Sequence, residues 1–345
     1  MSRFFVDPDI KKAETLAADF YTDPANFEIS KEKIFARSWQ FLTGGHDIGE
    51  VTPMTLLPGV LDEPVVVVRT AGSTTCLSNV CTHRGKILVE EPCSADLIRC
   101  RYHGRRFALD GRMISMPEFE GVENFPNRSD DLTKLPFAEI GGFLFASVSP
   151  SCEFSDWVEG VEGLFDHDAT TGLVLTGRRE YEVNAHWALY CENYLEGFHI
   201  PYVHKGLNAV VDYGSYRTDM FRYSSVQTAF SGEELRADRA AARYLFLFPN
   251  LMFNFYPWGI SVNIVRPVTH EKTVVEFLTY VRDENLLEKG AGADLHTVEM
   301  EDEAVVESVQ KGIRSRFYRH GRYSATKEQG THHFHRLIAE FMSKA

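Results

Sequence analysis

Two cysteines and two histidines stand in a pattern suited to iron: Cys81-Thr82-His83, then sixteen residues, then Cys100-Arg101-Tyr102-His103. Each half offers one thiolate and one imidazole. Two cysteines can hold one iron of a [2Fe–2S] cluster while two histidines hold the other, and neutral imidazoles in place of two thiolates raise the reduction potential. Gly85 and Gly104 follow the two pairs, where tight turns would bring backbone N–H groups toward the sulfurs. Structural zinc also takes two Cys and two His, but its usual spacing pairs like with like, whereas each pair here is mixed. The other cysteines, Cys76, Cys93, Cys152 and Cys191, lack such spacing and read as small buried apolar side chains.

A second constellation lies in Cys191-Glu-Asn-Tyr-Leu-Glu196-Gly-Phe-His199-Ile-Pro-Tyr-Val-His204. Glu196 and His199 are three apart and can share a helical face. His204 could not join His199 on an unbroken helix, but Pro201 tends to end the helix and frees His204 to swing back. Two imidazoles and one remote carboxylate form the facial triad with which Fe(II) activates O2. Glu299, Glu301, Asp302, Glu303 and Glu307 crowd one predicted helix. By itself such a run reads as a solvated acidic face, and spacing alone does not choose among its members.

The elements that must position these groups fall into two textures. Apolar positions such as Ile10, Ala13, Leu16, Ala17 and Phe20 predict a helical opening segment. From Trp39 to about Ser149, short β-prone runs (Met54–Leu57, Pro64–Arg69, Phe107–Leu109, Gly142–Val148) alternate with Gly and Pro, as in a small all-β unit. Beyond Pro150, helices are predicted over Glu153–Phe165, Trp187–His199, Asp294–Phe317 and Thr331–Met342. Extended segments are predicted over Glu180–Val183, Tyr244–Tyr256, Ile260–Val268 and Val274–Arg282. The fold class is therefore α+β, with an all-β domain (39–149) inserted between an N-terminal helical segment (1–38) and a larger domain (150–345).

A net charge of −13 in 345 residues argues against a nucleic-acid partner, whose phosphates need a basic face. No apolar run approaches a membrane span, and Met1–Tyr21 lacks the basic start and apolar core of a signal peptide, so a cytoplasmic protein with no membrane partner is expected. No Gly-rich strand–turn–helix fingerprint marks a flavin or nicotinamide site, so electrons are expected from a separate reductase. His332, His333 and His335 read as a helix start, His186 as packed or supporting the site, and Arg236, Arg239 and Arg243 as a solvated helix face.

Cys81-Thr-His83-Arg84-Gly85 and Cys100-x-Tyr-His103-Gly104, with the second constellation, resemble the Rieske non-haem iron oxygenases over most of the chain. The departures are Thr82, where Pro is common, and Arg105, where Trp is common. The resemblance implies a Rieske domain beside a helix-grip catalytic domain, a head-to-tail homotrimer, and an NAD(P)H-dependent reductase as partner, with or without a ferredoxin. It selects Asp302, five before Glu307, as the third ligand beside His199 and His204, with Glu299 and Glu303 as fallbacks. It gives Glu196 the role of a bridge between His199 and a cluster histidine, His103, of a neighbouring subunit. Glu stands there where most relatives have Asp, as in members that oxidise carnitine. Phe20-Tyr-Thr-Asp-Pro24, Ile34-Phe-Ala-Arg-Ser-Trp39, Glu192–Leu207 and Tyr213-Gly-Ser-Tyr-Arg-Thr218 look like the choline monooxygenase branch. That branch and its neighbours oxidise quaternary amines, cations held by aromatic faces. Tyr190, Tyr194, Phe198, Tyr202, Phe246, Phe253, Phe255, Tyr256 and Trp258 are the candidates for such a cage. The alternatives are a ring-hydroxylating dioxygenase with an apolar pocket, an electron carrier with a Rieske cluster and an inert second domain, and a zinc-dependent interaction module.

Overall fold

The computed structural model describes residues 4–204, 206, 214, 216–230, 240–287 and 295–344. The chain forms two compact units, Trp39–Ser151 and a larger one of Met1–Ser38 with Cys152–Ala345.

In the smaller unit the strands are β1 (Gln40–Gly44), β2 (Val51–Leu56), β3 (Glu63–Arg69), β4 (Thr74–Ser78), β5 (Ile98–Arg99), β6 (Arg106–Phe107), β7 (Met113–Ser115), β8 (Phe137–Ile140) and β9 (Phe143–Ala146). They form three antiparallel sheets, ordered β1-β9-β8, β2-β3-β4 and β5-β6-β7. The central strand β3 carries Val65-Val-Val-Val68, all buried. Alternate side chains of a strand face opposite ways, so such an uninterrupted run needs a core on both sides. Val65 and Val67 pack with Cys76 and Leu144. Val66 and Val68 pack with Phe107 and with Cys81 and Cys100 of the metal-motif loops. Each buried valine stabilises the unit by about 2 kcal/mol, so the two Cys/His loops rest on a strand packed on both of its faces.

In the larger unit, α1 (Ala18–Thr22) and α2 (Pro24–Ser30) lead into a π-helical turn, Lys31–Phe35. Asp23 caps α2 by accepting from Ala25 N at 2.9 Å, and Pro24 occupies its first turn. The predicted helix does not extend back to Ile10. Ala13 and Leu16 are buried instead by an extended segment, in which Thr15 N donates to Gly321 O and Ala18 N to Arg319 O. The predicted helix over Glu153–Phe165 is likewise shorter, because Gly160 adopts φ +82. What forms is α3 (Phe154–Trp157), a 3-10 turn at Glu162–Phe165, and then α4 (His167–Thr170).

A seven-stranded antiparallel sheet follows: β10 (Val174–Val183), β11 (Arg217–Met220), β12 (Ser224–Phe230), β13 (Ala240–Leu247), β14 (Leu251–Tyr256), β15 (Gly259–Thr269) and β16 (Lys272–Val281), in the order β10-β16-β15-β14-β13-β12-β11. The stretch expected as one strand, Tyr244–Tyr256, is the hairpin β13–β14, turned through Phe248-Pro249-Asn250. Arg243 lies in β13 and not on a helix, while Arg236 and Arg239 fall outside the described residues. The helices α5 (Trp187–Tyr194), α6 (Ile200–Val203), α7 (Leu295–Gly312) and α8 (Gln329–Ser343) complete the unit. α5 contacts β15, α7 and α8, while α7 contacts β10 and α8 contacts β11. Asp294, predicted to start α7, also lies outside the described residues. No described helix is long and apolar enough to cross a membrane.

Candidate metal centres and the cavity beside them

The two Cys/His loops of the smaller unit have matching geometry. Gly85 N donates to Cys81 O at 2.9 Å and Gly104 N to Cys100 O at 3.0 Å. Both glycines have φ near +75 (+71 and +77), which an L side chain rarely adopts. The turns aim the N–H groups of His83 and Arg84 at Cys81 Sγ, and those of Tyr102 and His103 at Cys100 Sγ. The His83 and His103 rings lie 4.8 Å apart between centroids. Both Nδ1 atoms are buried without a hydrogen-bond partner. Buried imidazole nitrogens are rarely left orphaned, and two of them beside two buried thiols are the donor types that a mixed thiolate–imidazole cluster takes.

Thr82 and Arg105, the two departures, meet in space. The Arg105 guanidinium is buried and donates to Thr82 Oγ1 at 2.5 Å and to Asp130 Oδ1 at 3.1 Å. Thr82 Oγ1 in turn donates to Asp130 O at 2.7 Å. The guanidinium carbon stands 5.3 Å from the centre of the Phe125 ring. A proline at 82 would offer Arg105 no acceptor, so each substitution accounts for the other. Of the remaining cysteines, Cys76 and Cys191 are buried as expected, but Cys93 is exposed.

In the larger unit, α5 begins with His186 as N-cap. Its Nδ1 accepts from Ala188 N at 3.3 Å, and its own N donates to Gln310 Oε1. The helix stops at Tyr194, short of the expected His199. Gly197 lies in the turn that follows, where a Cβ would stand 2.8 Å from the Tyr216 ring, so the close approach of that ring requires glycine. Pro201 then starts the separate turn α6, with His199 as its N-cap and His204 as its C-cap. The broken path brings the two histidines together, their ring centroids 5.1 Å apart.

α7 supplies the acid. Glu299, Asp302, Val306 and Gln310 follow one another at helical spacing on its inner side, and Glu299, Val306 and Gln310 are buried. The acidic run is therefore not a wholly solvated face. Among the described residues, His199, His204 and Asp302 are the one group of three or more possible metal ligands whose donor atoms lie within 4.8 Å of one another. Asp302 Oδ1 stands 2.9 Å from His204 Nε2 and 3.5 Å from His199 Nε2. Both rings are tied from behind. His199 Nδ1 is 2.8 Å from Glu196 Oε1, and His204 Nδ1 is 2.7 Å from Glu301 Oε2. A carboxylate can only accept, so Glu196 and Glu301 favour the proton on each Nδ1, which would leave each Nε2, facing Asp302, free to bind a metal. Asn193 Nδ2 donates to Asp302 Oδ1 at 2.5 Å and steadies the acid. Glu196 Oε2 also accepts the backbone N–H groups of Phe198 and His199.

The fallback acids are placed otherwise. Glu299 Oε2 accepts from the Tyr190 hydroxyl at 2.7 Å, and Glu303 stands outside the trio. Glu307 accepts from Asn184 N and Nδ2 and fastens α7 to the approach of α5. His332, His333 and His335 lie in the first turns of α8. His335 is fully buried, bonded to the Tyr323 hydroxyl at 2.6 Å and 3.0 Å from Glu192 Oε1, and so joins α8 to α5.

A cavity of about 110 Å3 opens onto the trio, lined by His199, His204, Asp302, Glu196 and Glu299 with Tyr190, Tyr194, Tyr216, Tyr244, Tyr256 and Phe277 among others. Of the expected cage residues, Tyr190, Tyr194 and Tyr256 line it. Phe246, Phe253, Phe255 and Trp258 do not, and Phe198 and Tyr202 are exposed. Tyr216, Tyr244 and Phe277 were not among the expected set. Strand register explains two of them: Gln227, Tyr244, Asn254 and Ser261 are successive cross-strand partners, and Asn263 pairs with Phe277. These side chains form the sheet side of the wall. Alternation along β13 to β16 carries that signal, but only once the pairing is known. The rings are held edge to face, Tyr194 against Tyr244 at 6.4 Å and Tyr244 against Tyr256 at 6.0 Å.

Residues 38–126 match the family described as the Rieske [2Fe-2S] domain, and residues 172–344 match that described as the ring hydroxylating alpha subunit (catalytic domain). The chain is 31% identical to the chloroplastic choline monooxygenase of Arabidopsis thaliana, over 96% of this chain and 84% of that one. It is 29% identical to the carnitine monooxygenase oxygenase subunit of Escherichia coli K12, over 96% and 94% of the two chains. The quaternary ammonium Rieske monooxygenase CntA, solved with L-carnitine, superposes with a TM-score of 0.78 at 27% identity, covering 97% of each chain. With a Rieske domain beside a ring-hydroxylating catalytic domain, and relatives of this kind along its whole length, the chain belongs to the Rieske non-haem iron oxygenase alpha subunits, oxidoreductases that carry a [2Fe–2S] cluster and a mononuclear iron and draw electrons from a separate reductase.

Proposed function

We propose that Cys81, His83, Cys100 and His103 hold the cluster, that His199, His204 and Asp302 hold the mononuclear iron, and that the enzyme hydroxylates a small quaternary amine. The observation that carries this reading is the tyrosine-walled cavity opening onto the two Nε2 atoms and the Asp302 carboxylate. Ring faces attract a cation that cannot donate hydrogen bonds. A planar apolar substrate would gain nothing from the amide, hydroxyl and carboxyl groups that share the wall. An electron carrier would need neither the trio nor the cavity.

When bound, the cluster passes single electrons and the mononuclear iron activates O2. This chain's residues do the rest. Glu196 and Glu301 keep the protons of His199 and His204 on Nδ1, and Asn193 holds Asp302 in place. His199, His204 and Asp302 would supply the two-imidazole, one-carboxylate donor set with which Fe(II) takes up O2. Glu196 is also the proposed link to the partner subunit's His103, in a homotrimer fed by an NAD(P)H-dependent reductase, directly or through a ferredoxin. None of the six cysteines forms a disulfide, which suits the reducing cytoplasm.

The test is Asp302→Ala in the purified holoenzyme with its reductase. The variant should keep the cluster's visible spectrum, lose one of about three irons per chain, and lose substrate-dependent O2 uptake with choline or carnitine. Hydroxylation surviving in that variant would refute the ligand assignment. O2 uptake that answers only to aromatic hydrocarbons would refute the substrate class.

A further inference from the structure

The cavity wall holds three carboxyl groups, and two of them are engaged. Asp302 faces the histidines, and Glu196 accepts from the His199 ring and from two backbone amides. The third, Glu299, is 5% exposed, and its Oε1 is buried with no hydrogen-bond partner. Only Oε2 is occupied, by the Tyr190 hydroxyl. Among the described residues, the lining includes neither Lys nor Arg. A buried carboxyl without a cation is costly. Here burial pushes the Glu299 pKa up to about 8, against the pull of the Tyr190 hydroxyl and with added push from Asp302 and Glu303. The described lining thus offers this carboxyl no basic side chain, and the rings of Tyr194, Tyr216, Tyr244 and Tyr256 stand along the same wall.

We propose that Glu299 is the counter-ion of the substrate's trimethylammonium head, and that the cavity is built for a monocation with a neutral tail, such as choline, over zwitterions such as carnitine and betaine. This rests on the quaternary-amine reading above and sharpens it. A quaternary nitrogen approaches Glu299 Oε1 without needing to donate a hydrogen bond, and its methyl groups meet ring faces. A substrate carboxylate would find neither Lys nor Arg on the described lining, and it would be repelled by Glu299 once that group is ionised beside the ammonium. The size agrees, since about 110 Å3 is small beside the 300–1,000 Å3 of pockets that enclose larger ligands.

The test is equilibrium binding to the anaerobic, iron-loaded holoenzyme, by calorimetry, with choline, its uncharged isostere 3,3-dimethylbutan-1-ol, and carnitine. Wild type should bind choline at least about ten-fold more tightly than either of the others. Glu299→Gln, which keeps an acceptor for Tyr190, should weaken choline about ten-fold and leave the uncharged isostere unchanged. Carnitine bound as tightly as choline by wild type, or choline affinity unmoved by Glu299→Gln, overturns the assignment and leaves the quaternary-amine reading standing. Failure of every quaternary amine to bind wild type overturns both. The wild-type comparison needs no variant, so it decides even if Glu299→Gln does not fold.

Discussion

His186 should make the larger unit acid-sensitive by an amount that can be worked out. Its ring is fully buried, packed edge-on against Phe20 at 5.1 Å and Tyr21 at 5.5 Å. Burial drives its pKa down from 6.5 to about 3, with a smaller push from His270. Nδ1 must stay unprotonated to accept from Ala188 N and cap α5. The unfolded chain therefore binds this proton first. The stability contributed by the neutral ring is complete above pH 6.5 and is lost as the pH falls from 6.5 toward 3. Between pH 7 and pH 5 the loss is about 2 kcal/mol. His186→Asn keeps a capping oxygen and removes the titration. Its packing loss, on the order of 1–3 kcal/mol, is the same at every pH. Other buried histidines with depressed pKa, such as His333, are common to both proteins and cancel. Urea unfolding followed by tryptophan fluorescence at pH 7, 6 and 5 should show wild type losing about 2 kcal/mol more than the variant. Parallel losses in the two proteins would refute the reasoning.

Arg105→Met removes the guanidinium that spans Thr82 and Asp130 beside the cluster loops. An acid left without its cation should lower the cluster's midpoint potential by roughly tens of millivolts in an EPR-monitored titration, and an unchanged potential would show that the pair serves packing alone. Glu196→Gln can still accept from the His199 ring but carries no charge. Turnover should fall about a hundred-fold while iron content and cluster reduction by dithionite stay intact, and full activity in that variant would remove Glu196 from the electron path.

How much of this was legible in the sequence depended on distance along the chain. The Cys/His loops could be read because each donor pair lies within four residues, and Pro201 marked the turn that separates His199 from His204. The apolar spacing of Ile10 to Leu16 suggested a helix, but the burial comes from extended pairing with residues around 319–322, which no local pattern announces. Asn193 and Glu301 were missed for the same reason. Asn193 meets Asp302 across 109 positions and Glu301 meets His204 across 97. Tyr244 and Phe277 required the strand register. Thr82 and Arg105 were visible as two departures, but only the fold shows that they are one interaction.

The broken helix after Tyr194 is what makes the trio possible. Continued as a helix, the chain would set His199 and His204 on different faces. The break costs backbone hydrogen bonds, and Glu196 supplies replacements by accepting from the backbone of Phe198 and His199 while gripping the His199 ring. One side chain thus shapes the loop, fixes the tautomer and occupies the proposed electron path. Truncating it to alanine would disturb all three at once, whereas glutamine keeps one acceptor oxygen and so can preserve either the grip on the His199 ring or the backbone contacts, but not both. His204, on the far side of α6, gets its carboxylate from α7, the helix that also delivers Asp302. The two imidazoles are therefore oriented from opposite directions, one by its own loop and one by the acid-bearing helix. Asn193, reaching from α5 to Asp302, ties those two supports together. Hydrogen bonds between α5, the loop and α7 set the spacing of the donors, so a metal ion needs little rearrangement to bind.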